Sequence, residues 1–314
     1  MGLFDFYKGR DEYRGLKGRS KEPVNIIKTI IDTPTGKKEA VTSVNCPKSR
    51  RYEIDLSRVP DLRDLRCESN SIREIDLSCV PDLHDLECGG NSLQEIDLSY
   101  TPKLVKLRCA NNLLDSLGLS FTPHLSSLQC CGNKFTEIDL SNTPKLSGLI
   151  ISHNKSRLKK LNLTNLQQLI CLICDNSKIE RIDFPKPSSI KLMRIGNNPL
   201  NLIDLSSMQK LENLNCIGNN LKGLDLSSCP LITNLDCCYN QLTKLDLQSN
   251  PLLKSIECQS NQIEEIDVTP LSDLEKLSCD DNTRIIRRTD QHFTLEVWSE
   301  KRPPKKISLP APMG

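Results

Sequence analysis

Aromatic residues are scarce: one Trp, five Tyr and six Phe make up 4% of 314 residues. A core of this size cannot be organised around stacked rings and has to come from Leu, Ile and smaller apolar side chains. Histidine occurs four times, at His84, His124, His153 and His292, and no pair shares a metal-ligand spacing. No run of about 18 apolar residues is present, which excludes a membrane-spanning helix. A phosphate loop, a GxSxG elbow and a dinucleotide fingerprint are also missing, so the sequence offers no home for catalysis and calls for no cofactor. The opening MGLFDFYKGRDEYRG is charged and lacks the apolar segment of a classical signal peptide. Gly2 invites an acylation reading, but Phe6 stands where Ser or Thr is preferred.

Cysteine is abundant by contrast, with fifteen in the chain. In the absence of a leader the thiols read as reduced and the protein as cytoplasmic. Charge is distributed unevenly. Residues 1–51 carry a net +6 and residues 283–314 a net +4, against +2 for the whole, so the stretch between them stands at −8.

That middle stretch repeats. Cys67, Cys88, Cys109 and Cys130 are 21 residues apart, and Ile151 follows at the same step. The next step is 23, to Cys174, because two extra residues fall between Lys155 and Lys160; then 21 resumes through Ile195, Cys216, Cys237, Cys258 and Cys279. Each unit reads LxxLxCxxNxL, as in Leu62, Leu65, Cys67, Asn70 and Ile72, followed by IDLS and often a proline, as at Ile75 to Ser78 and Pro81. A period of this length marks a solenoid whose units cannot bury their apolar faces alone.

Over residues 41–285 the pattern resembles the leucine-rich repeat, in its short bacterial form with Cys at a strand position. The resemblance implies a curved right-handed coil of about 12 turns, with a parallel β-sheet on the concave face and short strands or irregular structure on the convex face. The expected organisation is a basic N-terminal segment and cap (1–40), the solenoid (41–285), a C-terminal cap (286–302) and a proline-rich tail (303–314).

Leu65 and Cys67 are two apart, so on a strand both point into the core, and sulfur there stands in for leucine. Ile151 and Ile195 take the same position, which an obligate metal ligand would not tolerate. Cys171 and Cys174 form a CxxC, but three residues apart on a strand they face opposite sides. The Asn column, from Asn70 to Asn282 with Ser177 as its one substitute, implies by analogy with the family an inward amide ladder that satisfies backbone groups. The Asp column, from Asp55 to Asp267 and interrupted at Gly118 and Asn162, is expected to face solvent on the convex side beside Ser57, Ser78 and Ser99. Calcium sites draw their ligands from alternating positions of one loop, so no metal is assigned to it.

At the ends, VNIIKTIIDTPTGKKEAVTSVNC reads as a hairpin cap leading into Cys46, and RIIRRTDQHFTLEVW as a matching C-terminal cap with Phe293, Leu295 and Val297 on one face. Pro303, Pro304, Pro310 and Pro312 make the tail a poor candidate for packed structure. Phe4, Phe6, Tyr7 and Tyr13 read either as a short segment docked beside the cap or as one that grips a partner or, with its basic neighbours, an anionic surface.

Outward strand positions are where such a coil binds. The position before each ladder residue runs through Arg108, Ile150, Ile173, Arg194, Asp236 and Glu257, with Leu192, Ile217 and Tyr239 nearby. We expect these nine residues to form the binding surface for another protein, with an aliphatic centre flanked by charge. Nucleic acid is not expected, because the basic residues are not interleaved with stacking aromatics. The function expected is a non-enzymatic interaction module. The family resemblance adds an effector role in a host cytosol; a thiol- or metal-dependent sensor and a structural spacer are the alternatives. Some family members append a ubiquitin-ligase domain, for which the roughly thirty residues after Cys279 leave no room.

Overall fold

A computed structural model describes residues 25–33, 36–46, 54–154, 158–299 and 302–308, with backbone alone for 25–41 and 302–308. The expectations for Phe4, Phe6, Tyr7 and Tyr13 and for an N-terminal surface contact lie outside these residues.

The chain enters through an antiparallel hairpin, β1 (Asn25–Thr33) and β2 (Gly36–Asn45). Three-residue strands follow at each Leu-x-Cys, or Leu-x-Ile in the last of them: β3 (Asp64–Arg66), β4 (Asp85–Glu87), β5 (Lys106–Arg108), β6 (Ser127–Gln129) and β7 (Gly148–Ile150). The two extra residues intervene, and then β8 (Lys160–Asn162) and β10 (Arg181–Asp183) flank β9 (Cys171–Ile173). The series resumes with β11 (Leu192–Arg194), β12 (Asn213–Asn215), β13 (Asn234–Asp236) and β14 (Ser255–Glu257). It closes with β15 (Glu265–Asp267), β16 (Lys276–Asp280), β17 (Arg284–Ile286), β18 (Thr294–Ser299) and β19 (Arg302–Ser308).

Fifteen of these strands form one sheet in chain order, from β1 to β19. β8 with β10 and β15 with β17 form two small parallel sheets from the segments that carry the Asp column. The result is a parallel β-solenoid of about 12 turns, without helix among the described residues.

The strands are short because only the central residue of each turns inward. Leu65, Leu86 and Leu107 are fully buried, and the ladder residue beyond each strand is buried again: Cys67, Cys88, Cys109, Cys130 and Ile151 are all 0% exposed. After the strand, each Asn side chain closes the turn. Asn133 Nδ2 donates to Cys109 O (3.0 Å) and Cys130 O (3.1 Å), and its Oδ1 accepts the Leu114 N–H (3.1 Å). One amide thereby joins two consecutive turns at groups that water cannot reach. Further on, Asp76 Oδ1 accepts the Ser78 N–H (2.9 Å), and two consecutive turn bonds, Val80 N to Leu77 O and Leu83 N to Val80 O (both 3.1 Å), steer the chain back toward the next strand.

The column fails at its last member. Asn282 is exposed; nearby, the Asp280 carboxylate accepts the N–H groups of Ser260 (2.8 Å) and Asn261 (3.2 Å), whose counterparts one turn earlier, Tyr239 and Asn240, donate to backbone carbonyls. The C-terminal end also departs from expectation. RII joins the small sheet as β17, whereas TLEVWS continues the main sheet parallel to β16, with Phe293 and Leu295 buried and Val297 packed on the core. The hairpin there is β18 with β19, and it extends into the segment whose prolines argued against packing. Pro303 and Pro304 are accommodated because β19 is the terminal strand, where a missing N–H costs least.

Candidate functional site

The outward positions of the main sheet form two aligned rows. In the row just before the ladder, register pairs Arg108 with Gln129, Gln129 with Ile150, Ile150 with Ile173 and Ile173 with Arg194; Asn215, Asp236 and Glu257 continue it. Leu192 lies in the parallel row, beside Cys171 and Asn213. Ile217 follows Cys216 and is partly exposed. Register therefore aligns seven of the nine residues singled out above, Ile217 and Tyr239 lying beyond the strand ends, and their accessibility differs. Ile173 and Cys171 are each 6% exposed and Cys238 is 1% exposed, whereas Ile150 and Leu192 are half-buried and Tyr239 is 53% exposed. Strands about 4.8 Å apart let neighbours cover one another, a shielding that a count of outward positions does not convey.

Charge on this face is largely neutralised within it. Arg108 pairs with Glu87 and approaches Asp85 at 3.9 Å, and Lys106 reaches Asp85 at 3.6 Å. Burial is the main influence on Asp85 and raises its carboxyl above the usual range, with Arg108 opposing. Arg194 contacts the buried Asp175 (3.2 Å), whose Oδ1 also accepts the Gly196 N–H (2.9 Å). Burial lowers the Arg194 pKa, and the charge of Asp236 opposes the shift.

Between β11 and β14 the face opens into a groove of about 270 Å³, lined among others by Leu192, Arg194, Asn215, Asp236 and Glu257. At its edge Asp236, Cys238 and Glu257 bring one carboxylate oxygen each and the sulfur within 4.8 Å of one another. Asn215 Nδ2 donates to Asp236 Oδ2 (2.7 Å), the Cys238 N–H to Asp236 Oδ1 (3.2 Å), and Lys276 Nζ to Glu257 Oε1 (2.9 Å). Burial pushes the Cys238 thiol far above its ordinary pKa, aided by the charge of Asp236 and the hydrogen bond to it.

Sequence reading named Asp236 and Glu257 but did not join them to Cys238, because it looked for cysteine pairs. The signal was D-x-C with a glutamate 21 residues after the aspartate. It also missed a third regularity. The residue before each ladder Asn has positive φ in turn after turn, including Gly90 (67°), Asn111 (56°), Gly132 (66°), Gly218 (65°) and Tyr239 (53°). Gly and Asn suit that conformation; Tyr does not.

The remaining candidates are architectural. Cys174 is fully buried and Cys171 faces the opposite way, so the CxxC does not converge. The convex carboxylates of Asp55, Asp76 and Asp97 are held below the usual range chiefly by the Ser57, Ser78 and Ser99 side chains. Where Gly118 and Asn162 interrupt that column, a groove of about 510 Å³ opens beside Glu137 and Asp139.

No family profile matches the chain, and no curated protein matches it significantly. Solved structures do. The functional domain of InlJ from Listeria monocytogenes, described as including a cysteine ladder, superposes with a TM-score of 0.68 at 29% identity, over 78% of this chain and 59% of that one. The chain has the leucine-rich repeat fold. YopM from Yersinia enterocolitica (TM-score 0.57, 20% identity, 81% of this chain and 54% of that one) has the same fold. So does a leucine-rich repeat protein from Leptospira interrogans (0.50, 18%, 77% and 78%). The chain thus spans little more than half the length of InlJ and YopM. Its leucine-rich repeat fold is that of a protein-interaction module. Among the described residues, no helix is long and apolar enough to cross a membrane.

Proposed function

We propose that this chain binds another protein along the outward face of the main sheet, concave by the family's geometry, and performs no chemistry of its own. The observation that carries this reading is the continuous row Ile150, Ile173, Arg194, Asn215, Asp236 and Glu257, aligned by register and bordered by the groove. Leu192, Ile217 and Tyr239 extend its apolar part, and Arg108 closes the other flank. A partner suited to it places aliphatic side chains over Ile150 and Leu192, and donors or cationic groups toward Asp236 and Glu257. Tyr239 is the aromatic anchor, and its unfavourable backbone conformation is the kind of cost that persists at binding positions. The cytoplasmic part of the proposal rests on reading the thiols as reduced, and the delivered-effector part on the family resemblance.

The test is cross-linking and capture from cell extract with the wild-type chain, Ile150→Asp and Tyr239→Ala. One saturable heterologous partner, lost in both variants, is expected. Equal capture by all three removes this face from consideration, and no saturable partner leaves the chain a spacer.

A further inference from the structure

We infer that Asp236, Cys238 and Glu257 form a binding site for a borderline-soft divalent cation of the zinc class. The three ligand atoms lie within 4.8 Å of one another, at the edge of a groove that gives an ion and its remaining water a way in. Asp236 and Cys238 are two apart, so both side chains leave the same face, and Glu257 is the register partner of Asp236 on the next strand. One thiol with two carboxylates is a donor set for zinc; calcium wants six or more oxygens and gains nothing from sulfur.

Gln259 supplies an independent observation. It follows Glu257 by two, on the same face, and lies one rung from Cys238, since the Tyr239 N–H donates to Gln259 O (3.0 Å). Its side chain is only 6% exposed, yet Oε1 has no hydrogen-bond partner. A buried acceptor left over beside a thiol and two carboxylates is what a fourth ligand position requires. The groups already bonded to the carboxylates, Asn215 on Asp236 and Lys276 on Glu257, hold them in place as outer partners do in metal sites. On binding, the Cys238 S–H bond breaks, its proton leaves to solvent and a sulfur–metal bond forms. The site then has two carboxylates and one thiolate against a dication, and Lys276, which it shares with Glu296 (3.3 Å), offsets part of the excess. No electron transfer is involved. The inference does not rest on the protein-binding proposal, although both use Asp236 and Glu257.

The experiment titrates Co²⁺ into the reduced, chelator-stripped full chain and reads thiolate-to-cobalt charge-transfer absorption. One equivalent is expected to produce the band, and Zn²⁺ to bleach it. Cys238→Ser should abolish the band, Cys131→Ser should leave it intact, and Asp236→Asn should weaken Co²⁺ binding by more than about 100-fold, the upper end of what outer-shell partners alone cost. Asp236→Asn keeps side-chain volume and decides the question even if Cys238→Ser misfolds. No band at stoichiometric Co²⁺, a band surviving Cys238→Ser, or unchanged affinity in Asp236→Asn overturns the assignment.

Discussion

Ile150 and Ile173 are register partners on β7 and β9 although 23 residues separate them, where neighbouring rungs are 21 apart. The two extra residues are absorbed before β9, and the pairing resumes as if they were absent. A slip of one residue would have exchanged Leu172 for Ile173 in the core, so inward packing fixes the register.

The same pair yields a prediction about stability. Ile173 is 6% exposed and Ile150 half-buried. Ile173→Asp puts a charge where water is excluded and should cost about 3 kcal/mol or more. Ile150→Asp should stay within about 1 kcal/mol, as at ordinary surface positions. Urea unfolding of both variants checks this; equal costs would mean that Ile173 is as open as its neighbour.

The Asn column offers a second contrast. Asn133 is fully buried and bonds to four backbone groups of two turns, whereas Asn282 is exposed. Asn133→Ala leaves several buried groups unsatisfied and should cost about 2–4 kcal/mol, with faster amide exchange at Leu114. Asn282→Ala should remain within about 0.5 kcal/mol. Comparable losses would show that the sequence alignment of the two asparagines outweighs their different settings.

These two residues also show how far the sequence could be read. The repeat and the inward thiols follow from spacing, because alternation within a period of 21 points Leu65 and Cys67 the same way, whereas the coil itself is what the family resemblance implies. What spacing cannot convey is how the last turn adapts: β16 runs to five residues, and the Asp280 carboxylate accepts the Ser260 and Asn261 N–H groups, whose counterparts one turn earlier donate to backbone carbonyls. Nor does it convey covering. Ile173, Cys171 and Cys238 are outward by count and buried in fact, since adjacent strands shield that face. The Asp236, Cys238 and Glu257 cluster joins residues two apart in one turn to a third on the next, a relation visible only once strands are stacked.

Tyr239 sits at φ 53° where equivalent turns use Gly90, Gly132 and Gly218, and more than half of it is exposed, so it loses little packing on removal. A non-Gly residue in this region costs about 1–2 kcal/mol, partly offset by the extra chain entropy of glycine. Tyr239→Gly should therefore stabilise the fold by about 0.5–1 kcal/mol, while weakening capture of a partner if the ring is an anchor. A thermal melt and the capture assay, run on the same preparation, separate the two effects. A destabilised variant would show that the ring packs in a way its exposure conceals.

The thiols give a prediction against pH. Cys79 and Cys131 are partly exposed and the other thirteen cysteines are buried. Alkylation of the native chain near pH 8 should modify two sites quickly and the rest only after unfolding. Burial, reinforced by the Cys131 charge, pushes Cys109 from its ordinary 9.0 up to about 12. The unfolded chain therefore releases this proton first as pH rises, so the stability due to the buried neutral thiol is complete below about pH 9 and is lost on the way to about 12. In that window the thiol contributes a slope of about 1.4 kcal/mol per pH unit. Cys109→Val removes the titrating group and keeps an apolar side chain in a column that already accepts Ile151 and Ile195. Urea midpoints at pH 8 and 10.5 should fall less in the variant than in the wild type, and identical falls would mean that the ladder sulfurs ionise as freely in the fold as outside it.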